Sequence, residues 1–228
     1  MRLKQYINEI TKVSDENVNK ILDAGFINYK RTMKKIKIKA WPIQISALSA
    51  AFKDFNITFF MNDYKWVNKF FKVDKDDVGS TMPIQGTPIQ IIINKKQLKN
   101  IESPSFRKKI FKTLTHELVH RKQFNSMDPE FLEYYNTNNV DLTTYFSQKV
   151  EIEAYARDAI NELKDGDSEI VETYYYWIRG MSMVLWKRFL KKLYQYQDMY
   201  GNETSKTNLA FQIPELRFPD EEEDEDET

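Results

Sequence analysis

His116, Glu117 and His120 stand in the order H-E-x-x-H within "FKTLTHELVHRKQF" (Phe111–Phe124), and the chain has no other histidine. Residues four apart on a helix share one face, so two imidazoles at this spacing can bind one cation. Glu117 lies about a third of a turn round from them. Zinc takes nitrogen and oxygen ligands, and a catalytic zinc uses three protein ligands plus a water. A glutamate in the second place of the motif is positioned to take the proton from that water. The alternative is a helix whose two histidines are satisfied by hydrogen bonds in a core, and the motif by itself leaves it open.

Two imidazoles do not complete such a site. With no third histidine and no cysteine in 228 residues, the remaining ligand has to be a carboxylate. The richest stretch is "QKVEIEAYARDAINEL" (Gln148–Leu163), which holds Glu151, Glu153, Asp158 and Glu162. At about 100° per residue, Glu153 shares a small, apolar face with Ala156, Ile160 and Leu163. Glu151, Asp158 and Glu162 fall on the opposite face and read as solvated. A lone carboxylate on a buried face is costly unless it is paired or metal-bound. Glu153 is therefore the expected third ligand. An ordinary helix ion pair between Glu153 and Arg157 competes with this reading, although Arg157 could also support a ligating Glu153 from behind.

The elements that would carry these residues follow from patterning. Two short helices are expected at Leu3–Lys12 and Asp15–Ala24, the second capped by Asp15. "MKKIKIKAW" (Met33–Trp41) alternates apolar and basic residues, as a strand would. A helix follows over about Ile43–Asp54. "NITFFMN" (Asn56–Asn62) and "PIQIIIN" (Pro88–Asn94) read as strands, the latter on its β-branched run. The histidines fall in a long helix that Ser103 can cap and Pro104 can open, with an apolar stripe of Phe106, Ile110, Leu114 and Leu118. Further helices are expected over Gln148–Leu163 and from about Ser168. "MSMVLWKRFLKKLYQYQ" then puts Leu185, Phe189, Leu193 and Tyr196 on one face and Lys187, Arg188, Lys191 and Lys192 on the other. Strands early and helices late make the class α+β.

Thirty-four basic residues balance 34 acids, but eight of the acids lie in the last nine residues, "DEEEDEDET" (Asp220–Thr228). The remaining 26 acids face 34 bases, so the body carries about +8 and the tail −8. Residues 1–219 are expected to be one domain and 220–228 a disordered acidic tail. Without cysteine, a disulfide scaffold, a Cys-ligated zinc ribbon and a thiol nucleophile are excluded. The first 20 residues contain no apolar stretch of signal-peptide type, and no run approaches the roughly 18 apolar residues of a membrane span. A soluble, cytoplasmic protein is the default expectation. The Lys/Asn/Ile-rich composition suits an AT-rich genome such as that of a phage.

H-E-x-x-H followed by a glutamate on a later helix resembles the gluzincin metallopeptidases. "EIEAYARDA" is similar to the glutamate helix of small intracellular zincins of the ImmA/IrrE type. The likeness covers about Phe106–Leu163, and its specific part is His116, Glu117, His120 and the Glu153 helix. The metzincin pattern is absent, and Arg157 stands where thermolysin-type sequences carry an aspartate. The resemblance implies a zincin-like fold: a small mixed sheet whose edge strand packs on the H-E-x-x-H helix, then a glutamate helix and a helical C-terminal part. It implies a zinc-dependent endopeptidase with Zn2+ on His116, His120 and Glu153, Glu117 as general base, and a peptide or protein substrate, a regulatory protein among the options. The oxyanion donor cannot be histidine; Tyr155, Tyr145, the Tyr174–Tyr176 run and Arg157 are the candidates. Two rivals stand beside this reading. One is a non-catalytic interaction protein on a zincin scaffold. The other is a nucleic-acid binder using "RTMKKIKIK" and "WKRFLKK".

Overall fold

The computed structural model describes residues 14–36, 40–61, 88–93, 95–125, 149–167 and 169–212. The expected helix Leu3–Lys12, Tyr145 and the acidic tail lie outside them. The chain divides into two compact units, Met1–Tyr145 and Phe146–Thr228. The histidine helix belongs to the first and the glutamate helix to the second.

The first unit opens with α1 (Asp15–Lys35). Ser14, rather than Asp15, is its cap: the Ser14 hydroxyl accepts from the Asn17 amide at 3.3 Å, while Asp15 and Glu16 complement the helix dipole from the first turn. The helix runs well past Ala24, and Met33–Lys35 form its last turn instead of entering a strand. Lysines suit a helix C-terminus, and the Ile36 amide closes the turn on the Met33 carbonyl at 3.1 Å. α2 (Trp41–Phe52) follows, with Pro42 in its first turn, and a 3-10 turn (Lys53–Phe55) leads to Asn56 in the left-handed region, φ 55°.

Asn56 turns the chain into β1 (Ile57–Met61), which pairs in parallel with β2 (Ile89–Ile93), Phe59 opposite Ile91. Among the described residues the sheet has these two strands and is parallel, whereas a mixed sheet was expected. β1 alternates, with Ile57 and Phe59 buried and Phe60 exposed. In β2, Ile91, Ile92 and Ile93 are all buried, which accounts for its unbroken apolar run. The outward backbone of Phe59 is taken by a side chain of α2. Ser49 Oγ accepts from the Phe59 amide at 2.9 Å and donates to its carbonyl at 3.0 Å. α2 is held still closer to α1 at Gly25, where the ring of Phe52 fills the space a Cβ would need.

After a short α3 (Lys95–Leu98), α4 (Pro104–Asn125) carries the histidines. The Phe106 amide donates to Ser103 Oγ at 3.1 Å, the expected cap. Phe106, Ile110, Leu114 and Leu118 are all buried and join α1, α2 and the sheet in one core. Arginines near both ends tie α4 to its neighbours. Arg107 pairs with Asp23 of α1 at 2.8 Å, and Arg121 Nη2 donates to the Asn56 carbonyl at 3.4 Å.

The second unit is helical where described: α5 (Lys149–Asp165), α6 (Glu169–Met181), α7 (Met183–Tyr200) and α8 (Glu203–Gln212). α5 is its axis and packs against the other three. Gly166, at φ 78°, ends it, with the Gly166 amide on the Leu163 carbonyl at 3.2 Å and the Asp167 amide on that of Glu162 at 3.0 Å. α7 has the two expected faces: Leu185, Phe189 and Leu193 are buried, and Lys187, Arg188 and Lys191 are exposed. α8 was not expected. Asn202 and Ser205 exchange side chain-to-amide bonds of 2.8 Å at its start, a reciprocal cap. The class is α+β, mostly helical. No helix among the described residues is long and apolar enough to cross a membrane.

Candidate metal centre

The motif lies in the last two turns of α4. The four core residues of the stripe occupy one side of the helix. At about 100° per residue, His116 and His120 point well away from the stripe's centre, and Glu117 lies between the two sets. The histidine rings meet edge to face, centroids 4.6 Å apart, with the Nε2 atoms 3.0 Å apart. Two zinc-bound nitrogens at about 2.05 Å and a tetrahedral angle are about 3.3 Å apart. An opening of about 0.3 Å, within reach of small ring rotations, would give this pair ligand geometry for zinc. The two nitrogens lie close to the spacing of two ligands on one cation.

The surroundings are those of a chemical site. His120 and Glu117 are each 5% exposed. Arg121, one turn beyond Glu117, is largely desolvated, which lowers its guanidinium to about 10. The Glu117 carboxylate acts in the opposite sense and helps keep it charged. Arg121 thus remains a cation at neutral pH beside the Glu117 carboxylate. On the other side of the motif, His120 Nδ1 lies 3.1 Å from Gln123 Oε1.

Glu153, the expected third ligand, belongs to the second unit. Its carboxylate pairs with Lys192 of α7 at 3.0 Å and lies close enough to Tyr196 to help raise that phenol's pKa. The expectation rested on α5 having one buried face and one wet one. Instead, Ala154, Ala156, Ala159, Ile160, Asn161 and Leu163 are all buried, and so is Glu151 on the face read as solvated, at 2% exposed. Glu162 is buried on that face as well. A helix covered on nearly every side has no single apolar stripe for phase to find. Small residues spread right round it, Ala154, Ala156 and Ala159, were the available signal.

The proposed oxyanion donors are engaged inside the second unit. Tyr155 stacks on Tyr174 at 5.0 Å and meets Trp177 edge-on at 6.3 Å. Arg157 is fully buried, donates to Asn161 Oδ1 at 2.9 Å and lies over the Tyr200 ring at 4.2 Å. Desolvation, then Asp158 and Glu162, hold the Tyr174 phenol well above its ordinary range. Of its neighbours in the run, Tyr175 is buried among core residues and Tyr176 is exposed. No family model, curated protein or solved structure matches the chain.

Proposed function

We propose that the chain is a zinc-dependent peptidase of zincin type. The observation that carries the reading is the histidine pair. Two Nε2 atoms converge to 3.0 Å on one face of α4, with a buried glutamate between them in sequence and a cation one turn beyond it. We assign His116 and His120 as nitrogen ligands and, since the chain has no other histidine and no cysteine, a carboxylate as the third. Zinc held there would supply Lewis acidity, polarising a scissile carbonyl and acidifying the attacking water. Glu117 takes the proton of that water at its carboxylate and returns it to the departing amine. The Arg121 guanidinium stands as a cation beside that carboxylate. The substrate class is a peptide or protein.

Metal analysis and four variants test this. Wild type should carry one zinc and hydrolyse denatured casein. Glu117→Gln should keep the zinc and lose hydrolysis, because an amide cannot accept the proton. Glu151→Ala and Glu153→Ala should differ in metal content, and the one that loses zinc identifies the carboxylate ligand. Arg121→Met should keep zinc and move the acid limb of the rate profile to higher pH. Wild type without stoichiometric zinc would overturn the site. Zinc present without any hydrolysis that depends on Glu117 would favour the interaction-protein rival, with the metal structural.

A further inference from the structure

Gln123 has no part in the H-E-x-x-H pattern, yet its side chain meets the outer nitrogen of a motif histidine. We propose that Gln123 is a positioning residue that holds His120 in the Nδ1–H tautomer, so that its Nε2 lone pair is set for a metal before any metal arrives. The inference rests on the metal reading above for its purpose, but not for its geometry.

The atoms constrain the protons. Gln123 Oε1 can only accept, so at 3.1 Å the hydrogen between it and His120 belongs to Nδ1. A neutral imidazole carries one ring hydrogen, which leaves His120 Nε2 as an acceptor. That atom lies 3.0 Å from His116 Nε2. His120 Nε2 is then the lone-pair atom, on the side where His116 Nε2 lies. A bond from the far nitrogen to an acceptor is also how metal-bound histidines are commonly oriented and made more basic. Here the acceptor is three residues along the same helix, so α4 supplies its own support.

The test is direct because the chain holds only two histidines, and hence four ring nitrogens. Long-range 1H–15N spectra of the metal-free protein at pH 8 should show His120 as the Nδ1–H form, assigned with a His116→Asn variant. Gln123→Leu should return His120 to a mixture of tautomers and weaken zinc about 10- to 100-fold. Gln123→Glu, which keeps an acceptor, should preserve the Nδ1–H form and bind zinc at least as tightly as wild type. A merely structural role would not move the tautomer. The inference is overturned if wild-type His120 is the Nε2–H form, which would mean that the amide is turned to donate, or if Gln123→Leu leaves the tautomer unchanged. Zinc titration decides the metal reading and the metal-free spectrum decides this one, so the two can fail separately.

Discussion

Ser49→Ala removes one oxygen and should cost the first unit about 2.5 kcal/mol net. The hydroxyl serves both backbone groups of Phe59, accepting from the amide at 2.9 Å and donating to the carbonyl at 3.0 Å. Phe59 is 2% exposed, so water has little access to either group once the oxygen is gone. Each buried group left without its partner costs about 1–3 kcal/mol. The lower half of that range applies to both, because β1 can shift slightly, and the sum is about 2–4 kcal/mol. Alanine's better helix propensity returns about 0.5 kcal/mol. Ser46→Ala is the control: an exposed serine on the same helix, with the same propensity gain. Urea unfolding of both variants is the assay. With a slope of about 2 kcal/mol/M, Ser49→Ala should move the midpoint down by roughly 1–2 M relative to Ser46→Ala. If the two differ by less than about 0.5 kcal/mol, the serine is not acting as a substitute strand and the account of this sheet edge is wrong.

Other expected outcomes are as direct. Gly25→Ala should destabilise by about 1–3 kcal/mol, because the Phe52 ring stands where the new methyl must go. Gly180→Ala should instead stabilise by about 0.5–1 kcal/mol, since nothing lies near that position in α6; paired melting curves read both signs. Desolvation raises the phenols of Tyr174 and Tyr196 above their ordinary value of 10.0. Their contribution is complete below pH 10 and falls as pH climbs from there towards the raised folded values, because only the unfolded chain releases those protons. Ultraviolet difference titration should therefore show two tyrosines ionising late, together with unfolding; normal, reversible titration of every tyrosine near pH 10 would refute the burial. Tyr200→Leu removes the ring under the buried Arg157 guanidinium and should cost about 1–2 kcal/mol of the second unit's stability, read from far-ultraviolet circular dichroism in urea.

Elements written on one face were legible in the sequence. Ser103, Pro104 and the stripe from Phe106 to Leu118 place α4 almost to the residue, and the β-branched run marks β2. Where side chains are covered on every side, periodicity loses its meaning. The same reasoning that placed the α4 stripe put Glu151 in solvent, because α5 is enclosed. Met33–Lys35 shows a different limit. The alternation of Met33–Trp41 begins on lysines that suit a helix end, and local pattern had no means of ranking the two; residues 37–39 of that expected strand lie outside the described ones. α8 could have been found from Asn202 and Ser205, since a reciprocal cap is a local signal. That the two strands run parallel was beyond reach, because pairing direction depends on a connection and not on either strand. In the site, the histidine spacing was the strongest signal, and the two rings lie together on one face of α4. The role of Gln123 depends on a ring nitrogen's partner, which spacing allows but does not select.

Arg107 and Arg121 hold α4 near its two ends, fourteen residues or about 21 Å apart along the axis. The Arg107 pair is solvated and weak, and the stacking of Phe26 against Phe106 supports it. Fixed at two points, the helix cannot turn about its own axis. The direction of the histidines is then set by the number of residues between the anchors more than by which residues they are. Losing one residue between Arg107 and His116 would put the two anchors about 100° out of phase, and the histidines could then keep their aim only by giving up one of them. Exchanging one apolar side chain for another in the same interval would leave them in place. The interval behaves as a measured spacer, intolerant of insertion or deletion and forgiving of substitution, and much of its sequence can drift while the two nitrogens keep their aim.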